Sequence, residues 1–387
     1  MISKRAMSIT PSATLTITAR AKAMKKDGID VVSFGAGEPD FDTPDHIKKA
    51  AQDAMLAGFT KYTPTSGIPE LKQAICRKLK VDNGLDYAPE QILVSTGGKQ
   101  CLYNIIQVTI DPEDEVIIPQ PSWVSYEEMV KLAEGKTVFV KTKDFKMSPS
   151  LFEKAITKKT RMLILNSPSN PTGAMYSKQE LEEISRICVK YSILVLSDEI
   201  YEKLIYGKEH ISIASLGEDI KKLTVVINGV SKTYSMTGWR IGYCAGPVEI
   251  IQAATRLQDH TTSNANSIAQ KAAVAALTGT DKQFIEEIVA EYKTRRDYMV
   301  KTLNSIPGIK VSLPDGAFYV FADVSRLYKG TITDSVDFCS KLLEKKHVAV
   351  IPGSAFGDDK YIRLSYATSM EQIVKGLKRL SEFVTMG

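Results

Sequence analysis

The sequence has few of the residues from which disulfide frameworks and metal sites are built. Its 387 residues include five cysteines, an odd number without CxxC spacing, and four histidines that lie far apart and form no HExxH motif. The cysteines lie mostly within apolar or helical stretches, which is typical of reduced thiols. We therefore expect no disulfide framework and no metal site.

Long apolar runs and blocks of like charge are also absent. No stretch approaches the roughly 20 apolar residues of a membrane-spanning helix, and residues 1–10 lack the apolar core of a signal peptide. The formal net charge is +5, and adjacent basic residues never extend into a basic block. These absences argue against membrane and nucleic-acid partners and predict a cytoplasmic protein.

The chain does have the composition of a globular protein, 43% hydrophobic and 25% charged, with short apolar runs that alternate with amphipathic stretches. This alternation predicts an α/β fold in which helices cover both faces of a mainly parallel sheet. The seven predicted strands are residues 92–95, 115–118, 137–140, 162–165, 193–196, 223–227 and 241–245.

After about residue 280 the pattern changes. A long charged helix is followed by predicted strands at 316–321, 348–351 and 361–365, with helices between and after them. This region has the pattern of a smaller α+β domain, and the short strand near residue 32 needs a sheet to join. We predict a large domain of residues 45–285 and a small domain formed by residues 1–44 and 286–387.

Ligands of parallel sheets bind beyond the carboxyl ends of the strands. One such place is the stretch 231–242, SKTYSMTGWRIG, which follows a buried-type strand. There Lys232 can form an imine with an aldehyde cofactor, while the hydroxyl groups and Arg240 hold the cofactor's phosphate. The alternative is a loop whose lysine and arginine are simply solvated.

Asp198 ends another buried-type strand, so its carboxylate is predicted to face the ligand crevice. A carboxylate there can keep a heterocyclic nitrogen protonated, as pyridoxal phosphate chemistry requires, or it can cap a helix beginning at residue 199. Tyr201 either donates a hydrogen bond to a cofactor phenolate or packs in the core. Trp123, one of two tryptophans, either stacks on a planar ring or packs in the core.

Three further places complete the pattern. Asn170 lies in an Asn-Pro-Thr-Gly turn directly after a predicted strand, and the amides of Gly98 and Lys99 at a helix start can bind a phosphate. Arg363 lies in an apolar strand, which implies a bidentate carboxylate partner from the protein or from a substrate. A pyridoxal phosphate site that binds a carboxylate is one explanation for all of these features.

The motifs Asn-Pro-Thr-Gly at 170–173, Ser-Asp-Glu-Ile-Tyr at 197–201 and Ser-Lys-x-x-x-Met-Thr-Gly-Trp-Arg at 231–240 occur together. In this combination the chain resembles the class I aminotransferases of the fold-type I pyridoxal phosphate enzymes, most closely the bacterial aspartate aminotransferases of the prokaryotic subgroup. The resemblance runs nearly end to end. It implies a homodimer that transfers the amino group of L-aspartate to 2-oxoglutarate in a ping-pong cycle, with closure of the small domain over the substrate.

The resemblance also implies a role for each candidate residue. Lys232 would carry the cofactor and act as general base and acid, Asp198 would pair with the pyridine nitrogen, and Trp123 would stack on the ring. The phenolate oxygen would be bound by Asn170 and Tyr201, and the phosphate by Gly98, Lys99, Ser231, Arg240 and, from the neighbouring subunit, Tyr62. The substrate α-carboxylate would be held by Arg363, Asn170, Trp123 and the Gly37 backbone.

Lys99 also carries the expected side-chain specificity. In the prokaryotic subgroup a lysine at this position looks like the binder of the substrate's second carboxylate, which favours aspartate and glutamate over aromatic amino acids; the alternative is a surface lysine at a helix start. Some relatives transaminate prephenate, and Thr10 or Ser12 would contribute to such a pocket. Ser169 departs from the asparagine usual in relatives, with little expected effect because Asn170 is retained.

Two other kinds of function remain open from the sequence. One is a sibling enzyme on the same site, an aromatic or prephenate aminotransferase or a lyase. The other is a regulator that uses such a domain as a ligand sensor. A regulator needs an added DNA-binding segment, and we expect none of the 387 residues to be left over for one.

Overall fold

The computed structural model describes residues 1–11, 13–279 and 282–385. Its helices are α1 Lys4–Met7, α2 Ala13–Lys26, α3 Asp45–Leu56, α4 Pro69–Asn83, α5 Gly98–Thr109, α6 Ser125–Leu132, α7 Pro149–Ala155, α8 Lys178–Tyr191, α9 Glu218–Lys221, α10 Val248–Asp259, α11 Ser267–Thr278, α12 Lys282–Ser305, α13 Ser335–Lys346 and α14 Met370–Thr385. Its strands are β1 Val32–Ser33, β2 Ile92–Ser95, β3 Glu115–Gln120, β4 Lys136–Lys141, β5 Thr160–Asn166, β6 Leu194–Asp198, β7 Thr224–Gly229, β8 Gly242–Ala245, β9 Lys310–Val311, β10 Tyr319–Asp323, β11 Val348–Ala349, β12 Ile351–Pro352 and β13 Tyr361–Ser365.

The predicted seven-stranded, mainly parallel sheet is confirmed. Its strand order is β2-β8-β7-β6-β5-β3-β4, and neighbouring strands are parallel except for the two pairs that contain β8. Each strand overlaps one of the seven predicted from the sequence. Strands β5, β6 and β7 are almost entirely buried, which explains why they consist of continuous apolar runs instead of alternating residues.

Helices cover both faces of this sheet. Leu196 and Ile227 pack in a cluster with α5, α6 and α10, whereas Leu163 and Val195 pack in a second cluster with α7 and α8. Neighbouring residues of one strand therefore face opposite layers, as the pleat of a β-strand requires. This arrangement leaves the carboxyl ends of the strands as the open edge at which loops meet.

The remaining strands form two small sheets. Strands β9, β10, β12 and β13 form an antiparallel sheet, and β1 pairs in parallel with β11, with Val32 opposite Val348. The predicted single strand at 348–351 is wrong, because its two halves belong to different sheets. The strand predicted at 316–321 begins only at Tyr319, because Ala317 has a φ of +58°, which no strand residue adopts.

One hydrophobic cluster unites the two ends of the chain. Val32 and Phe34 pack with buried residues of α12, β10, α13, β13 and α14, and Tyr201 joins the same cluster from the loop after β6. The division into domains at residues 45 and 285 stays a prediction. Within the described residues, none of the helices combines the length and the apolar character needed to cross a bilayer.

Candidate active site

A cavity of about 710 Å³ lies where the carboxyl ends of the central strands face β13. The loops after β2, β5, β6 and β7 reach it, as expected for a parallel sheet. The predicted site residues that line it are Gly37, Gly98, Lys99, Trp123, Asn170, Asp198, Tyr201, Ser231, Lys232, Arg240 and Arg363. Residues that are up to 326 positions apart in the sequence are thus brought to one place.

Lys232 follows β7 and projects into this cavity. Its Nζ donates a hydrogen bond to the carbonyl oxygen of Gly37 at 2.5 Å. Burial, with Arg240 and Arg363 adding to it, lowers the pKa of Lys232 to about 8, against the opposing effect of Glu38 and Asp198. A larger neutral fraction at physiological pH makes this amine a better nucleophile and base than an exposed lysine.

The first turn of α5 and Arg240 form a cradle for an anion. Gly97, which precedes the helix, has a φ of +82°, and a Cβ there would lie 2.5 Å from Nη2 of Arg240. A Cβ on Gly242 would lie 2.1 Å from the amide nitrogen of Gly98, so only glycine permits β8 to approach the helix start this closely. Free amides at a helix N-terminus beside a guanidinium bind a phosphate well.

Asp198 ends β6 and is buried. The hydroxyl of Tyr126 donates a hydrogen bond to Oδ2 at 2.7 Å, and the amide of Ile200 donates to Oδ1 at 3.3 Å. Burial raises the pKa of Asp198 to about 6, although the hydrogen bond from Tyr126 acts in the opposite direction. A turn, not a helix, follows Asp198, so the helix-cap alternative is wrong.

Arg363 is 2% exposed and is the largest fully buried side chain among the described residues. Its Nη1 donates to Oδ1 of Asn170 at 2.9 Å and its Nη2 to the carbonyl of Gly35 at 3.0 Å, while its buried Nε finds no hydrogen-bond partner in the described part of the chain. Within the described part of the chain, no carboxylate lies within 4.0 Å of the guanidinium. The sequence left open whether the carboxylate partner of Arg363 comes from the protein or from a substrate. A protein carboxylate is not found beside Arg363 among the described residues.

Two tyrosines and the tryptophan shape the cavity between these charges. The hydroxyls of Tyr201 and Tyr319 lie 2.9 Å apart, and burial raises the pKa of Tyr201, which stays neutral. Nζ of Lys99 lies 4.7 Å from the ring centroid of Trp123, whose edge contact with Tyr126 spans 5.3 Å. Burial and the nearby Arg240 lower the pKa of Lys99, although its side chain is still exposed to solvent, so the two interpretations of this lysine stay open.

Two of the described residues that were considered from the sequence do not line the cavity, and a third is not described. Tyr62 is 91% exposed on the surface. Ser12 lies outside the described residues. Thr10 is at the surface, where its amide donates to Glu128 at 3.0 Å.

Two tyrosines are among the cavity residues that were not predicted. Tyr126 and Tyr319 both contact a predicted site residue through their hydroxyl groups. Tyr126, in the first turn of α6, lies three positions after Trp123, and this closeness in sequence to a predicted site residue was the available signal. Tyr319 gave no comparable signal, because it is one of two aromatic residues in β10.

Behind the loop that carries Asp198 and Tyr201 lies a buried cluster of charges. Glu199 accepts hydrogen bonds from Ser197 and Ser212 and lies 3.0 Å from Nε2 of His210, while Glu202 forms an ion pair with Lys78 and accepts from Asn83 at 2.7 Å. Glu199, Glu202 and His210 could geometrically hold a metal ion. The Lys78 ammonium already supplies the positive charge there, so the cluster is a salt-bridge network.

We predict that Lys78→Met destabilises the protein by about 3–5 kcal/mol, because it leaves a buried glutamate without its partner. Burial favours the neutral form of Glu202, yet Lys78, His210 and Asn83 outweigh it and lower its pKa to about 2. This contribution to stability is present above pH 4.5 and is lost as the pH falls towards 2. Urea unfolding between pH 3 and pH 7 measures both effects.

Lys80→Met is the matched control for this prediction. Lys80 pairs with Asp86 at 3.0 Å, but both side chains are largely exposed, so its loss should cost at most about 1 kcal/mol. Equal stability of the two variants at pH 7 would contradict the importance of the buried pair.

Comparison with known proteins agrees with this geometry. The model of the aminotransferase class I and II family matches residues 29–380. An aspartate aminotransferase of Bacillus sp. (strain YM-2) is 50% identical, with 99% of each chain covered. An aspartate/prephenate aminotransferase of Nitrosomonas europaea is 49% identical, with 99% of this chain and 100% of that protein covered. The crystal structure of the aspartate aminotransferase from Rhizobium meliloti matches with a TM-score of 0.96 and 44% identity, covering 100% of this chain and 99% of that one.

The fold and the comparisons together define a class, the pyridoxal-phosphate-dependent transferases of fold-type I. Within that class, the chain belongs to the family of class I and II aminotransferases. The family resemblance, the fold class and the transaminase prediction made from the sequence are thereby confirmed.

Proposed function

We propose that this protein is an aspartate aminotransferase that transfers the amino group of L-aspartate to 2-oxoglutarate. The observation that carries the proposal is the cavity in which Lys232, Asp198 and Arg363 meet. Arg363 is buried there without a carboxylate partner among the described residues. A buried guanidinium with an unused donor fits the α-carboxylate that every amino-acid and 2-oxo-acid substrate carries.

The described residues fit pyridoxal phosphate as the cofactor. When bound, the cofactor supplies an electron-withdrawing ring that stabilises negative charge at the substrate's α-carbon. We assign the phosphate to the amides of Gly98 and Lys99 with Ser231 and Arg240. Asp198 takes the ring nitrogen, Trp123 takes the ring face, and Asn170 and Tyr201 take the phenolate oxygen.

Lys232 moves the proton in this proposal. Its Nζ would hold the cofactor and, as a free amine, would accept the proton of the substrate's α-carbon and later give it back. A pKa of about 8 suits both directions of transfer near neutral pH. The rings of Tyr201 and Phe318 lie beside this amine, with centroids 5.8 Å and 5.7 Å from Nζ.

We predict that Tyr126→Phe shifts the pH dependence of cofactor binding. The variant loses the hydrogen bond that lowers the pKa of Asp198, so this pKa rises above its present value of about 6. Ionisation of Asp198 then needs a higher pH, and the acidic limb of pyridoxal phosphate affinity should move up by about 1–2 pH units. Equilibrium dialysis between pH 5 and pH 8 measures the shift.

Tyr103→Phe is the control for that shift, because Tyr103 packs against the same hydrophobic cluster without a hydrogen bond to Asp198. If the two variants gave the same pH profile, Tyr126 would not act through the carboxylate.

Lys99 sets the substrate range in this proposal by pairing with the second carboxylate of aspartate or 2-oxoglutarate. Its Nζ lies at the cavity wall above Trp123. We predict that Lys99→Met lowers kcat/KM for aspartate by about 10–100-fold, the equivalent of one charge-assisted hydrogen bond. The reaction with alanine should change little, and Lys141→Met, at an exposed strand end away from the cavity, serves as control.

The relatives named aspartate/prephenate aminotransferases make prephenate a second acceptor to test. A panel of donors and acceptors measured at steady state separates the possibilities. Aspartate with 2-oxoglutarate should be the best pair. Preferred use of phenylalanine or tyrosine would overturn the aspartate assignment and favour an aromatic aminotransferase. If prephenate were used, substitutions of Thr10 and Ser12 would test whether these residues bind it.

We also propose a homodimer in which Tyr62 reaches the phosphate of the neighbouring subunit. Tyr62 is 91% exposed, and Met55 and Leu56 on α3 are exposed as well, which is consistent with an apolar surface that a partner covers.

In each subunit we propose a large domain of residues 45–285 and a small domain of residues 1–44 and 286–387 that closes over the substrate. Five free cysteines are consistent with a cytoplasmic location.

A further inference from the structure

Helix α2 contributes one side of the cavity, and its exposed lining residues show that this side reaches the surface. The residues of α2 that line it recur every three or four positions, so they form one face of the helix. They are Thr14, Thr18, Ala21, Lys22 and Lys25. Ala21 is buried, whereas Lys22 and Lys25 are exposed at the outer end. Both ammonium groups are thus placed at the entrance rather than at the reacting centre.

The charges along this path are unbalanced. The cationic side chains that line the cavity are Lys22, Lys25, Lys99, Lys232, Arg240 and Arg363, against the two carboxylates of Glu38 and Asp198. The cofactor's phosphate and its bond to Lys232 would offset the cations at the inner end. The entrance and Arg363 would keep their positive charge, so the field at the mouth attracts anions.

Lys22 and Lys25 are also free to act on a passing ligand. Within the described residues, neither has a carboxylate within 4.0 Å. Arg20, on the same helix but away from the cavity, pairs with Glu344 at 2.8 Å. The face of α2 that lines the cavity therefore carries unpaired cations, while a neighbouring position uses its cation in an ion pair.

We propose that Lys22 and Lys25 form an electropositive entrance that draws dianionic substrates into the cavity and so favours dicarboxylates over monocarboxylates. The proposal rests on the proposed function for the identity of the substrates. Two unit charges near the path raise the local concentration of a dianion more than that of a monoanion, because the attraction scales with the charge of the ligand. Salt weakens the effect, since the screening length falls to about 3 Å at 1 M.

The entrance acts separately from Lys99. Lys99 lines the cavity beside Trp123 and would contact a bound ligand directly, at a distance too short for salt to screen fully. Lys22 and Lys25 act on the ligand through solvent over a longer distance, so their contribution must disappear at high salt. Salt dependence therefore distinguishes an entrance effect from a contact made inside the cavity.

The test uses the double variant Lys22→Gln/Lys25→Gln. Stopped-flow absorbance gives the second-order rate constant for the aminated, cofactor-loaded enzyme with 2-oxoglutarate or with pyruvate, at ionic strengths from 10 mM to 1 M. At low salt the variant should lose about tenfold with 2-oxoglutarate and about twofold to threefold with pyruvate. Both losses should vanish near 1 M, and kcat at saturating substrate should stay unchanged.

The matched control is Lys154→Gln/Lys158→Gln, which removes two exposed lysines that do not line the cavity and have no carboxylate partner within 4.0 Å in the described residues. It should behave as the unaltered protein at every ionic strength. An equal loss in the control, an equal loss for both oxo acids, or a loss that persists at 1 M salt would overturn the proposal.

A binding measurement keeps this test separate from the proposed function. Maleate is a dianion that needs no turnover, and propionate is the monoanionic counterpart. The association rate constant for maleate should fall in the double variant at low salt only, and that for propionate should fall less, even if the protein transaminated neither oxo acid. A lack of turnover together with this loss for maleate would refute the proposed function alone, and an unchanged association rate constant for maleate would refute the entrance alone.

Discussion

Replacing Lys232 with alanine removes transamination and leaves the fold intact. The variant loses the amine that holds the cofactor and the group that moves the proton, and general acid–base catalysis alone is worth about 10²–10⁴-fold. The structural cost is small, because Nζ makes one described hydrogen bond, to the carbonyl of Gly37, equivalent to about 1 kcal/mol. Turnover of aspartate and thermal unfolding, measured on the same preparation, check the two parts.

Lys203→Ala is a matched control for that result. Lys203 lies close in sequence to Asp198 and Tyr201, but its ammonium pairs with Asp82 at 3.0 Å and does not line the cavity. It should retain activity. Full activity in Lys232→Ala would refute both the role of this lysine and the assignment of the site.

Replacing Arg363 with lysine should lower kcat/KM for both aspartate and 2-oxoglutarate by about 10²–10⁴-fold. A lysine keeps the charge but cannot present two parallel donors to a carboxylate, and each charge-assisted hydrogen bond contributes about 1.5–3 kcal/mol. The variant also loses the contacts to Asn170 and Gly35 that hold the guanidinium in place. Steady-state kinetics with both substrates measures the loss.

The control for Arg363→Lys is the same substitution at Arg379, which pairs with Asp30 at 2.6 Å near the surface. Arg379→Lys should change kcat/KM by no more than about twofold and the free energy of unfolding by no more than about 1 kcal/mol. Amines without a carboxylate provide a second check, because their slow reaction should be almost unaffected by Arg363→Lys. An equal loss for such amines would show that the variant damages the cavity as a whole.

The parts of the site that could be predicted from the sequence share a physical feature. Asp198 ends one apolar strand and Lys232 follows another, and alternation of strands and helices indicates that these strands are parallel. Both residues are therefore expected at the same edge of the sheet. Arg363 was recognisable because a charged residue stands in an otherwise apolar strand. The assignment of the individual cofactor contacts, in contrast, came from the family resemblance.

Other features depend on contacts that no local pattern encodes. Tyr126 is 72 positions from Asp198, and Tyr319 is 118 positions from Tyr201, so neither hydroxyl contact follows from a periodicity. The break between β11 and β12 was missed because Val350 is as apolar and buried as its neighbours, and only pairing with two different sheets separates them. Tyr62 does not line the cavity of its own chain.

The central claim is tested most directly by a half-reaction. Purified protein loaded with pyridoxal phosphate is mixed with one amino acid at a time, and the absorption of the bound cofactor is followed. Aspartate and glutamate should convert it rapidly to the pyridoxamine form, while phenylalanine and tyrosine react slowly. Rapid conversion by aromatic amino acids alone would contradict the substrate assignment, and a protein that binds no cofactor would contradict the site itself.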